Sequence, residues 1–485
     1  MSEPRSVAIV GAGIFGLSLA VALSKRQHCV TVFDRYRYDE TNCEPDLDGT
    51  TQAASVDHDK IFRASYGTKL HYQRLALESR AAWERIDERR RQEDGDAGSD
   101  LFNGCGMLRV QPAADLDPLE RETLSNFERD GLRDSQFVKS DSADRGRAAE
   151  RGWDDKVLLE FGIPQASPPP PPPPQTYEAV LDSLAGFTKC SEACAYFYQL
   201  ALRQGVTFRF GPERGAFDSI IEDGPSTAGR RRAVGLKTKD EASHRADVVV
   251  VVVVVAAGSF STQLLPELSH HLESSAGSVA TFKIDKRDAA LWDKYSPERF
   301  PVITWRSAAR DPSGKDSRGV YVLPRAVDGL IKVGFRGIKF TNFQPAPSGT
   351  GFKQDEKWSV PLPPADCRAV PEPTREAIRR FVSIFLLEFA DADFNSTKLF
   401  WHTDSLDNSF VIDHVPTYAD GSMFVATGGS GHGAKFLPVL GEAADILQNE
   451  DQSTSFMRSH WRWREGIHRG NGLEEGPNGP RNSGK

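Results

Sequence analysis

The hydrophobic pattern at the start of the chain predicts a βαβ unit. A short apolar run at residues 6–10 is followed by a glycine turn and by an Ala/Leu-rich run that reaches Leu23. The next apolar run, at residues 29–33, is again short. Apolar runs of these lengths, separated by a glycine turn, indicate a strand, a helix and a second strand in that order.

The same patterns continue along the chain. Apolar residues spaced among charges predict helices at residues 72–91, 183–203 and 374–389. Short apolar runs predict a strand at 206–210 and strands of a second sheet at 302–305, 320–323 and 330–335. Eight consecutive valines, residues 248–255, are typical of a strand buried on both faces of a parallel sheet. Seven consecutive prolines, residues 168–174, predict a stiff surface linker, and the polar residues after Glu450 predict a frayed tail.

Composition and charge narrow the functional classes. The 485 residues allow several domains, and a net charge of −8 leaves no chain-wide basic surface for nucleic acid or an anionic membrane. The six cysteines are scattered without metal-ligand spacing, which favours a reducing compartment and predicts no metal site. No apolar run approaches the roughly 20 residues of a spanning helix. We therefore expect a small-molecule partner rather than nucleic acid or a membrane. We also expect a monomer.

The glycine turn carries a candidate dinucleotide-binding motif. Gly11, Gly13 and Gly16 follow a predicted strand and open a predicted helix, and Asp34 ends the next strand. The glycines permit a tight turn, close approach of a pyrophosphate and helix–strand packing, and the acid accepts from ribose hydroxyls. A purely structural glycine turn is the alternative. If the motif is functional, its cofactor-binding residues also include Ala12, Ile14, Phe15 and Arg35.

A second strand–glycine loop–helix pattern lies near the other end of the chain, at residues 424–441. The backbone N–H groups between Gly429 and Gly433 stand at a predicted helix N-terminus, where they would stabilise negative charge on a bound ring system. The loop contributes as candidate cofactor-binding residues Gly429, Gly431, His432, Gly433 and Lys435. Gly258, after the valine run, is a further candidate.

Four separated blocks resemble the flavin amine oxidase family that includes monomeric sarcosine oxidase, pipecolate oxidase, saccharopine oxidase and the fructosyl amino acid oxidases (amadoriases). The blocks are residues 11–34, 59–67, 329–336 and 398–441. The resemblance implies an α/β fold in which a Rossmann-type FAD-binding domain is interleaved with a mixed-sheet substrate domain, as in D-amino-acid oxidase. We assign to the FAD-binding domain residues 1–67, 176–261 and 395–450. The substrate domain takes residues 68–175 and 262–394, with a Pro-rich insert at 140–175, and residues 451–485 form a flexible tail.

Residue roles follow from the resemblance, position by position. Lys332 matches the lysine beside the reactive edge of the flavin that assists the reaction with oxygen, and is our candidate catalytic residue. Arg63 and Lys435 match the residues that bind the substrate carboxylate, and Lys60 matches a basic residue near the flavin. For any single lysine or arginine, a solvated surface charge is the alternative.

The chain departs from the family pattern at informative positions. Phe400 stands where the family has the cysteine that carries the flavin through a thioether, so we predict that FAD is bound non-covalently. His402 replaces a pocket residue that is often tyrosine, and Ala434 replaces a bulkier phenylalanine. Arg336 falls at a position that varies with substrate. These changes predict a larger or more acidic substrate than sarcosine, bound with the help of His402 and Arg336.

The resemblance implies oxidation of the C–N bond of a secondary amine or N-substituted amino acid, giving an imine and H2O2, with O2 as the second substrate. A flavin dehydrogenase that passes electrons to another acceptor, and an inactive FAD-binding relative, are the alternatives. Many relatives end in a peroxisomal tripeptide, whereas this chain ends Ser483-Gly484-Lys485, so we expect a cytoplasmic location. A peroxisomal location, which the family resemblance allows, is the alternative.

Overall fold

The structure is a computed structural model of the chain. It describes residues 4–45, 51–94, 99–111, 115–159, 161, 177–224, 229–245, 251–306, 319–348, 356–448, 455–474, 476–479 and 481–483. The seven prolines at 168–174 and the first three valines of the valine run lie outside the described residues.

The strands, in chain order, are β1 Ser6–Val10, β2 Cys29–Asp34, β3 Asp59–Phe62, β4 Phe102–Asn103, β5 Met107–Gln111, β6 Gln136–Val138, β7 Glu178–Asp182, β8 Gly186–Lys189, β9 Thr207–Phe210, β10 Phe217–Asp223, β11 Arg232–Thr238, β12 Ser243–Arg245, β13 Val251–Val255, β14 Leu272–Lys283, β15 Val302–Arg306, β16 Gly319–Val322, β17 Leu330–Phe340, β18 Phe343–Pro345, β19 Lys357–Ser359, β20 Ser396–Ser405, β21 Val411–His414 and β22 Met423–Thr427.

The α-helices are α1 Ile14–Lys25, α2 Tyr38–Thr41, α3 Leu70–Asp94, α4 Pro118–Arg129, α5 Ser142–Glu150, α6 Asp154–Val157, α7 Cys190–Arg203, α8 Ser261–Leu264, α9 Ala289–Lys294, α10 Glu372–Phe385, α11 Ala443–Leu447 and α12 Arg458–Trp461. Short 3-10 turns separate several of them, including one at Ala434–Phe436. Within the described part of the chain, every helix is too short or too polar to cross a lipid bilayer.

The predicted βαβ unit forms the centre of a six-stranded sheet with the strand order β21-β22-β13-β1-β2-β9. All neighbouring pairs are parallel except β21 and β22. The valine strand β13 is central, and Val252–Val255 are fully buried. Because helices and a small antiparallel sheet cover its two faces, this strand has no polar alternation. The sheet places the carboxyl ends of β1, β2 and β13 at one edge.

A second, eight-stranded sheet has the order β20-β14-β17-β16-β15-β5-β7-β6. Its pairs are antiparallel except β15 with β5, so the sheet is mixed. Helix α10 packs on it through a stripe of buried residues that includes Ile378, Phe381 and Phe385. The predicted strands at 302–305, 320–323 and 330–335 all belong to this sheet.

Several expected boundaries differ from the structure. The helix predicted at 183–203 begins only at Cys190, because residues 186–189 form β8, which pairs with β3 and β4. Strands β7 and β20 lie in the eight-stranded sheet, although the boundaries at 176 and 395 assigned them to the dinucleotide-binding segments. Within the proposed insert at 140–175, the described residues include helices α5 and α6.

The tail also differs from the frayed segment expected after Glu450. Met457 and Trp461 are fully buried in the core beside the six-stranded sheet. Farther along, Arg469 and Asn471 donate hydrogen bonds of 2.7 and 3.0 Å to the buried carboxylate of Glu273. A few large apolar and charged side chains therefore fix a segment whose composition is mainly polar.

Candidate active site

The first glycine loop joins β1 to α1 at the carboxyl edge of the six-stranded sheet. Gly11 has φ +112°, and a Cβ there would lie 2.5 Å from the carbonyl oxygen of Ala256, so no side chain fits. Gly13 precedes the first turn of α1, and no described side chain caps that turn. Its N–H groups therefore remain available to an anion at the N-terminus of a twelve-residue helix.

Asp34 fastens this loop to the end of β2. Its Oδ2 accepts a hydrogen bond of 2.8 Å from the Ala12 N–H, and its Oδ1 accepts one of 3.0 Å from the Tyr36 N–H. Burial raises the pKa of Asp34 above its ordinary value, while these two N–H donors oppose the rise. Next to it, the Arg35 guanidinium lies 3.9 Å from the centre of the Phe260 ring, in the short turn that Gly258 begins.

The second glycine loop lies against the first. A Cβ at Gly429 or Gly433 would lie 3.2 or 3.1 Å from the ring of Phe15, which belongs to α1. The Ser430 N–H donates to the Thr403 carbonyl at 2.8 Å, which ties the loop to β20. The two glycine loops, which lie about 410 residues apart in the sequence, thus form one continuous glycine-lined surface at the edge of the sheet.

Lys332 and Lys60 share the carboxylate of Asp57. Lys332 Nζ donates to Asp57 Oδ2 at 2.9 Å and also to the carbonyl oxygen of Asp59, and Lys60 Nζ lies 2.5 Å from the same Oδ2. Asp57 is 2% exposed. Burial by itself raises the pKa of this carboxyl, but the two ammonium groups outweigh burial and hold the pKa well below its usual range. The two lysines are therefore fixed as charged groups around one buried anion.

Phe400 of β20 lies beside this cluster. Its ring centre is 4.8 Å from Lys60 Nζ and 5.0 Å from Lys398 Nζ. A cleft next to the ring is lined by Asp57, Lys332, Lys398 and Phe400. Phe400 is thus a buried aromatic between cations, and it offers no nucleophile for a covalent bond.

His402 follows on the same face of β20, with its Nε2 3.1 Å from where a Cβ at Gly277 would stand. Burial lowers the pKa of His402 to about 3, and the nearby Lys60 and Arg336 act in the same direction. The ring is therefore neutral at physiological pH.

A chain of hydrogen bonds runs from Lys435 through Tyr66 to His432. Lys435 Nζ donates to Tyr66 Oη at 3.0 Å, Tyr66 Oη lies 3.1 Å from His432 Nδ1, and His432 Nε2 lies 3.1 Å from the carbonyl oxygen of Asn408. Because a carbonyl only accepts, Nε2 carries the proton and Nδ1 accepts from the tyrosine. Burial lowers the pKa of His432 well below its ordinary value, with Lys435 adding to the effect, so the ring is a neutral member of this chain.

Two side chains of helix α3 hydrogen-bond to the backbone of Lys435. The Trp83 indole N–H and the Ser79 hydroxyl both donate to the Lys435 carbonyl, at 2.8 and 2.5 Å. Burial lowers the pKa of Lys435 well below its ordinary value, and the charges of Arg63 and Arg336 lower it further.

Arg63 and Arg336 complete the cationic side of the site. The Arg63 guanidinium lies 4.6 Å from the Tyr66 ring centre and donates to the Ser65 carbonyl. Arg336 extends from β17 and donates to the Gly431 carbonyl at 3.3 Å. Five of the basic candidates thus come together in two clusters, one around Asp57 and one around Tyr66, while Arg35 lies with Asp34 at the first glycine loop.

Two central residues were not among the sequence candidates. Asp57 and Tyr66 each sit next to motif residues, but a single acid or tyrosine in a loop has no spacing that marks a function. Tyr66 lies inside the block at 59–67 that carried the family resemblance, and that block was the available signal. Among the described residues, no group of three His, Cys, Asp or Glu side chains is arranged to hold a metal ion.

Comparisons with known proteins find a matching family model and several similar proteins. A family model described as FAD dependent oxidoreductase matches residues 6–445. The L-saccharopine oxidase of Schizosaccharomyces pombe is 26% identical over 472 residues, covering 95% of this chain and 93% of that protein. The amino acid oxidase imqH of Aspergillus flavus is 25% identical over 487 residues, covering 93% of this chain and 94% of the relative.

Solved structures share the fold. The fructosyl peptide oxidase from E. terrenum has a TM-score of 0.71 at 22% identity, covering 96% of this chain and 94% of its own. Amadoriase I from Aspergillus fumigatus has a TM-score of 0.68 at 20% identity, covering 96% of this chain and 90% of its own. These likenesses and the two sheets confirm the expected fold class, a Rossmann-type domain with a mixed-sheet substrate domain.

Proposed function

Since the chain belongs to the FAD-dependent oxidoreductase family, we propose that it oxidises the C–N bond of a secondary amine or an N-substituted amino acid, with non-covalently bound FAD and with O2 as the electron acceptor. The relatives whose names state a substrate class act on saccharopine, amino acids or fructosyl peptides. The observation that carries the proposal is the meeting of two glycine loops with the Asp57 and Tyr66 clusters at one edge of the six-stranded sheet.

The residues present fit FAD. Gly11 has no room for a Cβ, and the adjoining first turn of α1 has no described side-chain cap. A pyrophosphate at this turn would receive N–H donors and the positive end of the helix dipole. Asp34 stands at the end of β2, where a ribose would lie. With phenylalanine at position 400, the protein would hold FAD through these contacts alone.

When bound, FAD supplies the acceptor for the electrons of the C–N bond. The protein's own contribution is to bind and orient the amine. Lys435 and Arg63 would hold the substrate carboxylate, and Ser79 and Trp83 fix the backbone of Lys435 so that its ammonium reaches a constant place. The neutral rings of His402 and His432 add no positive charge that would repel a protonated amine.

Lys332 has a separate electrostatic task. Its ammonium is buried and oriented by Asp57 and the Asp59 carbonyl, so it needs no reorganisation to stabilise negative charge that develops when O2 is reduced. Lys60 shares the same carboxylate. The arrangement supplies a fixed positive charge next to the cleft that Phe400 lines.

A substrate panel under anaerobic conditions tests the proposal. Sarcosine, pipecolate, saccharopine and a fructosyl amino acid are added in turn to the purified holoenzyme, and the loss of visible flavin colour is followed. O2 is then admitted, and H2O2 is measured. Bleaching followed by rapid return of colour with H2O2 is the expected result. Bleaching with slow return would indicate a dehydrogenase, and no bleaching with any amine would favour an inactive relative.

A further inference from the structure

The orientation of the His432 ring depends on the turn between β20 and β21, residues 406–410. In this turn, the carbonyl oxygen of Asn408 accepts the hydrogen bond from His432 Nε2 at 3.1 Å. With the ring proton on Nε2, Nδ1 accepts from the Tyr66 hydroxyl, and a lone pair of that hydroxyl remains for the Lys435 ammonium. One backbone carbonyl therefore sets the direction of the whole hydrogen-bonded chain.

An arginine from the end of the chain holds this turn. Arg464 belongs to the tail segment, residues 455–474, and its side chain is 13% exposed. Its guanidinium donates to the carbonyl oxygens of Ser409 and Phe410 at 3.3 and 3.0 Å and to Asp407 Oδ1 at 3.2 Å. A guanidinium presents its N–H donors in a rigid fork, so these three acceptors are fixed relative to one another. They flank the carbonyl that orients the histidine.

The backbone of the tail segment binds the same turn at a second place. The Gly470 N–H donates to the Leu406 carbonyl at 2.8 Å, and the Asn408 side-chain amide donates back to the Gly470 carbonyl at 3.3 Å. Lys339 of β17 links the two segments, because its ammonium donates to Asn408 Oδ1 at 3.3 Å and to the Asn471 carbonyl at 2.9 Å. Asn408 has φ +56°, a left-handed conformation that is uncommon outside glycine, and these bonds hold it there.

Stacked rings form another connection between the tail segment and His432. The ring centres of Trp461 and Phe410 lie 5.8 Å apart with an interplanar angle of 29°, and those of Phe410 and His432 lie 4.9 Å apart at 30°. Trp461 and Phe410 are both fully buried. In a close-packed interior, one ring moves only if its neighbour moves as well. The tail segment therefore constrains His432 through hydrogen bonds and through packing.

We infer that the tail segment belongs to the active site and that Arg464 is a positioning residue. Through the turn at 406–410, it fixes the tautomer of His432 and with it the place of the Lys435 ammonium. The inference rests on the proposed function, because it takes Lys435 as a group that binds the substrate carboxylate. It extends that function by giving residues 455–474, which the sequence predicted to be a frayed tail, a part in substrate binding.

Two substitutions of Arg464 test the inference against a matched control. Arg464→Met removes all three bonds to the turn, whereas Arg464→Lys keeps a charge and some of the donors. The control is Arg133→Met. Arg133 also donates to a carbonyl and a carboxylate, those of Gln136 and Asp144 at 2.7 and 2.8 Å, but it does so at the edge strand β6 of the eight-stranded sheet.

The first readout is the nitrogen NMR spectrum of the FAD-loaded protein with isotope-labelled histidine, in which His432→Gln identifies the His432 signals. Protonated and unprotonated nitrogens of a neutral ring give separate signals. We expect the proton on Nε2 alone in the parent and in Arg133→Met, and exchange between both tautomers in Arg464→Met. A purely structural role of Arg464 would lower the free energy of unfolding and leave these signals unchanged.

The second readout is the binding of methylthioacetate, a sarcosine analogue that is not oxidised at a C–N bond, followed by the change in the flavin spectrum. We expect Arg464→Met to weaken binding about tenfold, equivalent to about 1.4 kcal/mol, because the Lys435 ammonium loses its fixed place. Arg464→Lys should recover a large part of this loss, and Arg133→Met should bind like the parent.

Asp407→Asn keeps the test decisive if Arg464→Met does not fold. The Asp407 side chain is 33% exposed, and asparagine has a similar shape but lacks the charge that Arg464 contacts. We expect the same changes at a smaller size, about threefold in affinity. Parent-like histidine signals and affinity in Arg464→Met, or in Asp407→Asn where that is the variant that folds, would overturn the inference.

Neither readout needs turnover, which separates this inference from the proposed function. If the parent binds no methylthioacetate, the carboxylate site of the proposed function is contradicted, while the histidine signals still decide whether Arg464 orients His432. Conversely, amine oxidation together with parent-like signals and affinity in Arg464→Met would leave the proposed function standing and contradict the inference.

Discussion

At the scale of single residues, the decisive feature is a carboxylate shared by two lysines. Asp57 is buried, and its Oδ2 contacts the ammonium groups of both Lys332 and Lys60. The sequence indicated both lysines through the family blocks but gave no sign of Asp57, because the contact joins residue 57 to residue 332 across the fold.

Removing that carboxylate should be costly. Asp57→Asn leaves the buried ammonium of Lys332 and the half-buried ammonium of Lys60 without their anion, and we expect a loss of about 3–5 kcal/mol in the free energy of unfolding. The measurement is urea unfolding of the variant and of Asp39→Asn, which breaks an exposed ion pair and should change stability by about 1 kcal/mol at most. Equal stability of Asp57→Asn and the parent would contradict the shared-anion geometry.

The shifted pKa of Asp57 also predicts a pH dependence. Its pKa in the folded chain lies below the ordinary value of 3.8, so its stabilising contribution is fully present above that value and is lost as the pH falls below it. Acid unfolding of the parent should therefore begin below about pH 4, and Asp57→Asn should lose less stability across that range.

Lys332 is expected to affect the reoxidation of the flavin by O2 and not its reduction by the substrate. Replacing it by methionine removes the fixed charge but keeps a side chain of similar length. Lys332→Met should leave anaerobic bleaching by substrate nearly unchanged and slow the return of colour in air by about 100-fold or more. Stopped-flow spectroscopy measures both steps, with Lys294→Met on the exposed surface as the control. Parent-like reoxidation would remove Lys332 from this role.

The lowered pKa of Lys435 predicts that the protein takes up a proton when it binds a carboxylate. Its pKa in the free protein is well below the ordinary value, and a bound carboxylate would raise it, so binding at a pH above the free-state pKa draws a proton from solution. Affinity for methylthioacetate, a carboxylate in which sulfur replaces the amine nitrogen of sarcosine, should then fall as the pH rises. Calorimetry in two buffers with different ionisation enthalpies detects the proton, and Lys435→Met should abolish the buffer dependence. Buffer-independent binding heats in the parent would contradict the assignment.

At the scale of elements, the first glycine loop shows what the sequence predicts well, whereas the helix predicted directly after the second loop is only a 3-10 turn at Ala434–Phe436. The spacing of Gly11, Gly13 and Gly16 identified the β1–α1 turn, in which a Cβ at Gly11 or Gly16 would clash with a backbone carbonyl oxygen. The strand at 186–189 was missed. Its pairing partners, β3 and β4, lie far away in sequence, and a four-residue strand next to a helix leaves no separate pattern.

Gly13 offers a test of the first loop. A Cβ there would meet the Ser55 Oγ at 3.4 Å, an ordinary contact, so Gly13→Ala should fold. The added methyl group would, however, stand where a pyrophosphate approaches the turn, and we expect FAD affinity to fall by about tenfold or more. Apoprotein titration with FAD measures this, and Gly146→Ala in α5, where a Cβ meets nothing within 4 Å, is the control. Unchanged affinity would mean that the cofactor lies elsewhere.

At the scale of the whole molecule, the site depends on both sheets. The glycine loops belong to the six-stranded sheet, while Lys332, Phe400 and His402 stand on β17 and β20 of the eight-stranded sheet. Family blocks predicted this interleaving. The exact residue boundaries between the two domains could not be predicted from the sequence, because strands such as β7 and β20 would have the same apolar pattern in either sheet. The sequence predicted a frayed tail because most of its residues are polar, whereas a few buried side chains such as Trp461 anchor it.

The central claim, that the two loops hold FAD without a covalent bond, is tested most directly by the visible spectrum of the purified protein before and after acid precipitation. We predict a yellow protein whose colour passes into the supernatant, and a Phe400→Cys variant whose colour stays in the pellet because a thioether can form. Colour retained in the pellet of the parent would contradict non-covalent binding. A colourless parent protein that takes up no added FAD would contradict the account as a whole.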